Sequence, residues 1–473
     1  MIEDCAGQKN DVLSCPESGK NSCVGSIVER LECSYSNKSE RFLLKKRDFN
    51  RQYAHIYSVR LMEMRKVAAL AARRKWDAVS IRKTVELKVG ERCCLIGTLY
   101  KKMELKPSIL KELSIENNVI PQPLREKYIS ENDYLILEDE AQRVKLVGNI
   151  PSEYLITGLI IAVLGFEDDA GYFAVENYCL CGLPEQEDPT KDQTLLNGED
   201  CFVAIMTGLH FGKKGHDCLQ LQMLIDLMTG QLGCMKDHDK IRKVVRIVIC
   251  GNSLSACTRD KDKESKAKYL TRNTKADSVE AMMHLDECLS QLASSSPVDI
   301  MPGENDPCNY QWPQQPLHSC MFPRASAFST FNNVTNPYEA SVAGVRILCT
   351  DGRNVNDIFR FSDHAKRIDI AKLTLDGAHI APSAPDTLGC YPYYDEDPFI
   401  IKECPHVYVI GNQPEYQHGV VTGKMGQKVN IVLVPNFSSS GCCVLLNLRT
   451  LECQPVMFLS RLEHENNQLY QKE

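Results

Sequence analysis

Four places in the chain run from an apolar stretch straight into a turn of small or polar residues. They read Met206-Thr207-Gly208-Leu209-His210, Cys250-Gly251-Asn252-Ser253-Leu254-Ser255, Met301-Pro302-Gly303-Glu304-Asn305-Asp306 and Ile410-Gly411-Asn412-Gln413-Pro414. In α/β domains ligands gather at the carboxyl ends of strands, so these turns are where chemistry belongs. Asp, Asn, Glu and His at such ends could hold divalent cations and aim an activated water at a phosphoester. That chemistry needs two ions about 3.5–4 Å apart, a carboxylate bridging them and further Asp, Asn and His ligands. Other catalytic patterns are absent. Gly419 to Met425 lacks the spacing and the Ser/Thr of a phosphate-binding loop, and neither G-x-S-x-G nor H-E-x-x-H occurs.

The order and spacing of the four turns resemble the calcineurin-like metallophosphoesterase framework, D-x-H, G-D-x-x-D, G-N-H-D/E and G-H-x-H. The resemblance puts Gly208, which has no side chain, at the first Asp position, with His210 retained. Neutral Asn252 stands where the bridging carboxylate belongs, and Ser255 replaces the outer acid. Glu304 and Asn305 occupy the Asn and His positions of the third motif, followed by Asp306, while Asn412 and Pro414 replace the two histidines of the last. A site without its bridging anion and most of its imidazoles cannot offset the repulsion between two cations. The expectation is a degenerate, non-catalytic pocket with no metal and no cofactor, in which His210 and Asp306 are hydrogen-bonded structural residues. His379 is expected to be a packed loop histidine.

The elements that must position these turns fall into blocks. Residues 1–38 are rich in Ser, Asn, Gly and Lys and read as a disordered tail. Residues 39–84 form a basic segment, with Tyr53, Ile56, Tyr57, Leu61, Met64, Ala68 and Ala71 at helical spacing. This predicts an amphipathic helix with a basic outer face, docked on the next domain with its charges solvated or turned to nucleic acid or an acidic partner. Residues 85–183 carry short strands, Arg92 to Leu99, Tyr134 to Leu137, Arg143 to Gly148, Tyr154 to Leu164 and Tyr172 to Cys179, around a helical insert from Lys106 to Lys127. They suit a small closed barrel of OB type, with a sandwich as the competing fold. The strands show no clear aromatic-plus-basic stripe. Residues 184–200 read as a linker and 461–473 as a C-terminal tail. Between them, residues 201–460 alternate apolar runs with helices, including one from Asp277 to Ala293 that opens on a capping box and buries Val279, Met282, Met283, Leu289 and Leu292. The fold class these blocks give is α+β with an α/β part, opening on an N-terminal OB barrel, and the resemblance implies that an inactivated phosphoesterase-like β-sandwich with flanking helices follows it.

Composition bounds the rest. The 473 residues carry 55 Lys+Arg against 62 Asp+Glu, a formal charge of −7. Eleven Lys+Arg and two acids between Arg41 and Lys75 make that stretch +9 and leave −16 for the remainder. Such a balance is a poor match to a protein whose whole surface grips phosphates. The 22 cysteines include no C-x-x-C, and the pairs at Cys93-Cys94 and Cys442-Cys443 lie in apparent strands, where neighbours face opposite ways; buried reduced thiols are expected. The chain opens on Met1-Ile2-Glu3-Asp4 with no apolar leader, and Tyr154 to Phe166 is too short to span a bilayer, so a soluble, intracellular protein without membrane contact is expected.

Several longer stretches are more specific: Lys266-Ala-Lys-Tyr-Leu-Thr271, Pro297-Val-Asp-Ile-Met-Pro-Gly303, Pro313-Gln-Gln-Pro-Leu-His318, Cys320-Met-Phe-Pro323, Thr335-Asn-Pro-Tyr338, Ala384-Pro-Asp-Thr-Leu-Gly-Cys-Tyr-Pro392 and Cys404-Pro-His-Val-Tyr408. Together, from about Arg41 to Phe458, they resemble the B-subunit family of replicative DNA polymerases, in its delta branch. The resemblance implies a nuclear, non-catalytic regulatory subunit for DNA replication and repair. It would bind the C-terminal metal-binding domain of the polymerase delta catalytic subunit and a third subunit that recruits the sliding clamp, meeting clamp and DNA through the complex. Tyr391-Pro392-Tyr393-Tyr394 and Phe322-Pro323 are candidate partner contacts or ordinary packing. The alternatives are a residual metal-dependent phosphodiesterase or exonuclease, built on His210 and Asp306, and an OB-fold module for single-stranded DNA.

Overall fold

The computed structural model describes residues 29–45, 47–77, 79–107, 125–189, 198–213, 218–258 and 277–458. The helical insert expected within 106–127, the loop from Thr258 to Lys268, the tail 461–473 and residues 1–28 fall wholly or largely outside them.

A 22-residue helix, α1 (Ala54–Lys75), leads into a barrel of strands β3 (Cys93–Lys102), β4 (Tyr134–Glu138), β5 (Arg143–Gly148), β6 (Ile160–Glu167) and β7 (Phe173–Leu180), with the short β2 (Ile81–Arg82) beside β3. Neighbours run β3-β4-β5-β7-β6, and antiparallel pairing of β3 with β6 closes the ring. Only β5 and β7 pair in parallel within that ring. Closure removes the free edges a sandwich would leave. Inside the barrel lie Cys93, Leu95, Leu99, Leu135, Leu137, Ile161, Val163 and Phe173; alternate residues Cys94, Ile96, Ile160, Ala162 and Leu164 face out and are covered by Leu61, Met64, Ala68 and Ala72 of α1. The period of two in the strands and of 3.6 in the helix thus meet on one wall.

The larger part holds two mixed six-stranded sheets. One runs β1 (Tyr35–Asn37), β12 (Tyr338–Val342), β13 (Val345–Thr350), β14 (Val407–Gln413), β16 (Lys428–Pro435), β15 (Gln417–Thr422). The other runs β11 (Phe331–Asn333), β10 (Val298–Met301), β9 (Val244–Cys250), β8 (Phe202–Met206), β17 (Cys442–Asn447), β18 (Cys453–Met457). Val203, Ile205, Val248 and Cys250 of one sheet pack against Ile347, Cys349, Val409, Val432 and Val434 of the other. The outer face of the second sheet, through Ala204, Met206, Ile247 and Ile249, is covered by α2 (Leu219–Met228) and α4 (Asp277–Ala293). The outer face of the first packs on α5 (Arg353–Phe361) and α6 (Arg367–Asp376) in one apolar core continuous with the barrel interior. A short helix α3 (Met235–Ile241) precedes β9.

Several expectations need correcting. Residues 29–37 belong to the fold rather than to a disordered tail: Tyr35, Ser36 and Asn37 pair with Val342, Ser341 and Ala340, because β12 would otherwise leave an open edge. The start of the presumed linker is pinned, since the Gln186 side chain donates to the Pro405 and Lys428 carbonyls and accepts from the Lys428 N–H. Val279 and Met283 are exposed on α4, whose buried face is Ala281, Leu285, Asp286, Leu289 and Leu292. Phe322, Tyr391 and Tyr393 are buried, so those loops are largely internal packing, and Tyr394 alone among these aromatics stands out to solvent. Lys145 lies 4.4 Å from the Tyr134 ring and 5.1 Å from that of Tyr172, a small aromatic-basic cluster on the barrel that the strand pattern did not reveal.

The α1 face holds the largest surprise. Arg60, counted with the basic outer face, is fully buried. Its Nε donates to Asp397 Oδ2 at 2.7 Å, Nη1 to the Pro382 carbonyl at 2.9 Å and Nη2 to the Ala384 carbonyl at 2.8 Å. His379 completes the cluster. Its Nδ1 accepts the Ala381 N–H, which leaves the proton on Nε2, 3.0 Å from Asp397 Oδ2. Burial and then the Arg60 charge hold the His379 imidazole down at about 4, so it is neutral. Burial alone would raise the Asp397 carboxyl, but Arg60 and His379 override it and hold it well below the usual range.

Removing one partner of a buried, hydrogen-bonded ion pair leaves an uncompensated charge. Arg60→Met should therefore cost about 3–5 kcal/mol in denaturant unfolding, and adding Asp397→Asn should recover part of it. His379 stays neutral in the fold but protonates near its ordinary value of 6.5 once the chain unfolds. Its contribution is complete above about pH 6.5 and is lost as pH falls toward 4, with a slope of about 1.4 kcal/mol per pH unit in that window. Unfolding of His379→Gln across pH 4–7 should lack that slope.

Candidate functional site

The sandwich brings the four turns to one end of its two sheets. Backbone hydrogen bonds knit the first two together, Gly208 N–H to the Gly251 carbonyl at 3.0 Å and His210 N–H to the Asn252 carbonyl at 3.2 Å. Asn252 Oδ1 accepts the Asn305 N–H at 3.1 Å, joining the second turn to the third. Asn412 donates from Nδ2 to the Asp351 carbonyl at 2.9 Å, tying in the fourth. The turns meet closely because glycine stands at the contact: a Cβ on Gly251 would come 2.9 Å from Gly303 Cα and 3.0 Å from Asp351 Cβ.

His210, Asn252 and Asn412 adopt left-handed backbone, with φ of 50°, 54° and 52°. Only six non-glycine residues do so among the described ones, so half of them stand in this cluster. Such strain costs on the order of 1–3 kcal/mol per residue and persists where the surroundings enforce it, and Asn and His are the types that tolerate it best.

Several side chains there hold the turns to one another. Asp306 is buried, and its two oxygens accept three backbone N–H groups: Leu254 at 2.8 Å, Gly303 at 2.8 Å and Ser253 at 3.2 Å. Burial raises its carboxyl, and those donors pull the other way. Both oxygens are thus committed to holding the second and third turns. The space a side chain at position 208 would need is filled by Asn436, whose Cγ would lie 2.8 Å from a Cβ there. Ser255 is buried and its Oγ accepts the Cys257 N–H at 3.3 Å. Glu304 and Pro414 are exposed, at the rim rather than the centre. Among the described residues no group of three or more His, Cys, Asp or Glu is placed to hold a metal ion. The donor set present therefore does not fit a dinuclear metal centre. His379 lies apart, in the Arg60 cluster.

Sequence reasoning missed two participants. Asn436 follows β16, and Asp351, paired with Arg353 Nε at 2.7 Å, follows β13. Both sit at the end of an apolar run entering a turn, the same signal that exposed the other four.

Residues 203–418 match the B-subunit family of DNA polymerases alpha and epsilon, and residues 52–178 match the DNA polymerase delta subunit OB-fold domain. The protein from Oryza sativa named DNA polymerase delta small subunit is 39% identical over 432 residues, covering 91% of this chain and 99% of that one. DNA polymerase delta subunit 2 of Drosophila melanogaster is 37% identical, with 91% and 99% covered. The Saccharomyces cerevisiae DNA polymerase delta small subunit is 34% identical, with 89% and 92% covered.

The chain belongs to the DNA polymerase delta small-subunit family.

Membership makes it an accessory chain of a replicative polymerase and identifies its closed barrel as the family's OB-fold domain. In this small subunit, the cluster at the sheet ends is a set of interlocked turns. A simple consequence is that an acid cannot be restored at its first position. Gly208→Asp would set a Cβ against Asn436 at φ +63° and should destabilise the fold by about 2 kcal/mol or more, read as a lower Tm, with no gain of bound Mn or Fe by elemental analysis.

Proposed function

We propose that this chain is a non-catalytic scaffold of the polymerase delta complex. It would bind the C-terminal metal-binding domain of the catalytic subunit and also the third subunit, so that sliding clamp and DNA are reached through the assembly. It would act in the nucleus, in replication and repair synthesis. The observation that carries the reading is Asp306. The carboxylate best placed for phosphoester chemistry has both oxygens occupied by backbone donors from two turns, so it serves the architecture rather than an ion.

Two face-to-face sheets with strained strand-end turns suit an inherited calcineurin-like phosphoesterase fold whose ligands have been exchanged for Gly208, Asn252, Ser255, Asn305, Asn412 and Pro414. Left-handed His210, Asn252 and Asn412 favour that descent, because strain of this sort is costly to keep and easy to inherit. A residual metal-dependent nuclease is disfavoured by the chemistry of the same donor set. Single-strand binding by the barrel has one observation in its favour, Lys145 between Tyr134 and Tyr172. Two rings offer few of the successive stacking platforms such binding uses.

Co-expression with the polymerase delta catalytic chain and third subunit should give a stoichiometric complex that survives about 0.5 M salt, where exposed ion pairs are heavily screened. The purified chain should show no Mn²⁺-dependent cleavage of a phosphodiester. A stable monomer that ignores the catalytic chain, or turnover abolished by Asp306→Asn, would reject the reading.

A further inference from the structure

The outer face of α1 is neither purely basic nor purely solvated. Met62, Val67 and Leu70 are 68%, 41% and 53% exposed, and Lys66, Arg73 and Arg74 alternate with them. Met62, Lys66, Leu70 and Arg73 follow one another at helical spacing, a stripe of about three turns. The patch continues onto the turn between β15 and β16. Arg74 Nη1 lies 3.3 Å from Met425 Sδ, Met425 is itself 49% exposed, and exposed Lys424 adjoins it. Glu63, the one acid in α1, pairs with Lys402 at 3.2 Å and so offsets none of this charge. Among the described residues nothing packs over Met62 or Leu70.

Helix capping does not account for it. Basic residues in a last turn complement the helix dipole, and Lys75 is engaged by the Asn177 side chain and the Tyr178 carbonyl. The dipole gives no reason to expose Leu70, about one and a half turns before Lys75, or Met62, about three and a half turns before it. Exposed apolar side chains interleaved with charges of one sign make the footprint of a partner.

We infer that the α1 face, extended by Met425, docks an acidic amphipathic helix from another polypeptide. Apolar side chains at i, i+4, i+7 and i+11 of that helix would cover Met62, Val67, Leu70 and Met425, and flanking Glu or Asp would meet Lys66, Arg73, Arg74 and Lys424. Nucleic acid fits less well, since phosphates gain nothing from a methionine-leucine centre and the patch holds no aromatic for stacking. The inference goes beyond the scaffold reading, because it concerns what this surface binds whichever assembly the chain joins.

The full chain would be titrated into a fluorescein-labelled 18-residue peptide with a leucine stripe flanked by glutamates, a scrambled peptide of the same composition, the same stripe flanked by lysines, and an 18-nucleotide oligo(dT). The amphipathic acidic peptide should bind in the micromolar range and at least about tenfold more tightly than the other three probes. Met62→Glu and Leu70→Glu, both at exposed positions, should each weaken it about tenfold with unchanged Tm. Lys66→Glu with Arg73→Glu should move the preference to the lysine peptide. Equal binding of the scrambled peptide, indifference to these substitutions, tighter binding of oligo(dT), or no binding because another part of the chain covers the face would each overturn it. Co-assembly of Leu70→Glu with the polymerase subunits is read separately, so failure of the scaffold reading cannot be mistaken for failure of this one.

Discussion

The Arg60 guanidinium is the hinge-pin of the molecule. It comes from a helix that packs on the outside of the barrel, yet its three shortest hydrogen bonds end on Asp397 and on the Pro382 and Ala384 carbonyls of the sandwich part. Burying it without those acceptors would be prohibitive, so helix, barrel and sandwich must come together in one arrangement or expose the charge. An apolar contact of the same area would tolerate sliding; a planar fork meeting a carboxylate and two carbonyls does not. Neutral His379 orients the carboxylate without adding a second positive charge.

That constraint has a consequence for the surface. The barrel interior and the outer face of one sheet share a single continuous core, with Leu95, Leu137 and Phe173 in the same cluster as Tyr408, Ile431 and Leu433. The two parts therefore present one rigid exterior, and a partner bridging them meets preformed geometry at little ordering cost. For an accessory subunit this rigidity is the useful property. The interlocked turns add to it at the other end of the sheets, where Asp306 ties two loops together through three backbone donors.

How much of this could be read in the sequence depended on periodicity. Short apolar runs bounded by turns found the barrel strands, though the run expected from Tyr154 starts six residues before β6; continuous apolar runs found the central sandwich strands but not β11, β12, β15 or β18, and helical spacing found α1. The four turns were legible because each follows such a run. What failed was the assignment of single side chains to inside or outside. Arg60 looks like surface charge, and its three closest acceptors lie more than 300 residues away in the chain, beyond any local pattern. Val279 and Met283 look like core, yet α4 turns Ala281 and Leu285 inward and leaves them out. The strand Tyr35–Asn37 escaped notice because three residues carry no period; it exists only because the edge of β12 accepts it. Asn436 was missed although its signal was present, since an amide after a strand suggests chemistry only when the residue opposite is known to be missing.

Gly208 and Asn436 show how the strand-end turns of this sandwich hold one another in place. A metal pair holds strand-end turns together through ligands radiating from a centre. Here each turn is held by its neighbour instead, Asn252 by Asn305, Gly208 by Gly251 and Asn412 by Asp351. Hydrogen bonds between turns span only about 3 Å, so the turns must approach more closely than ligands around two ions would require. Close approach in turn demands glycine at 208, 251 and 303, and at 208, the one of the three that falls on a ligand position, it excludes the acid a metal would need. An acid at position 208 is therefore disfavoured by sterics before affinity for any ion is considered, by the same contacts that keep the turns in place.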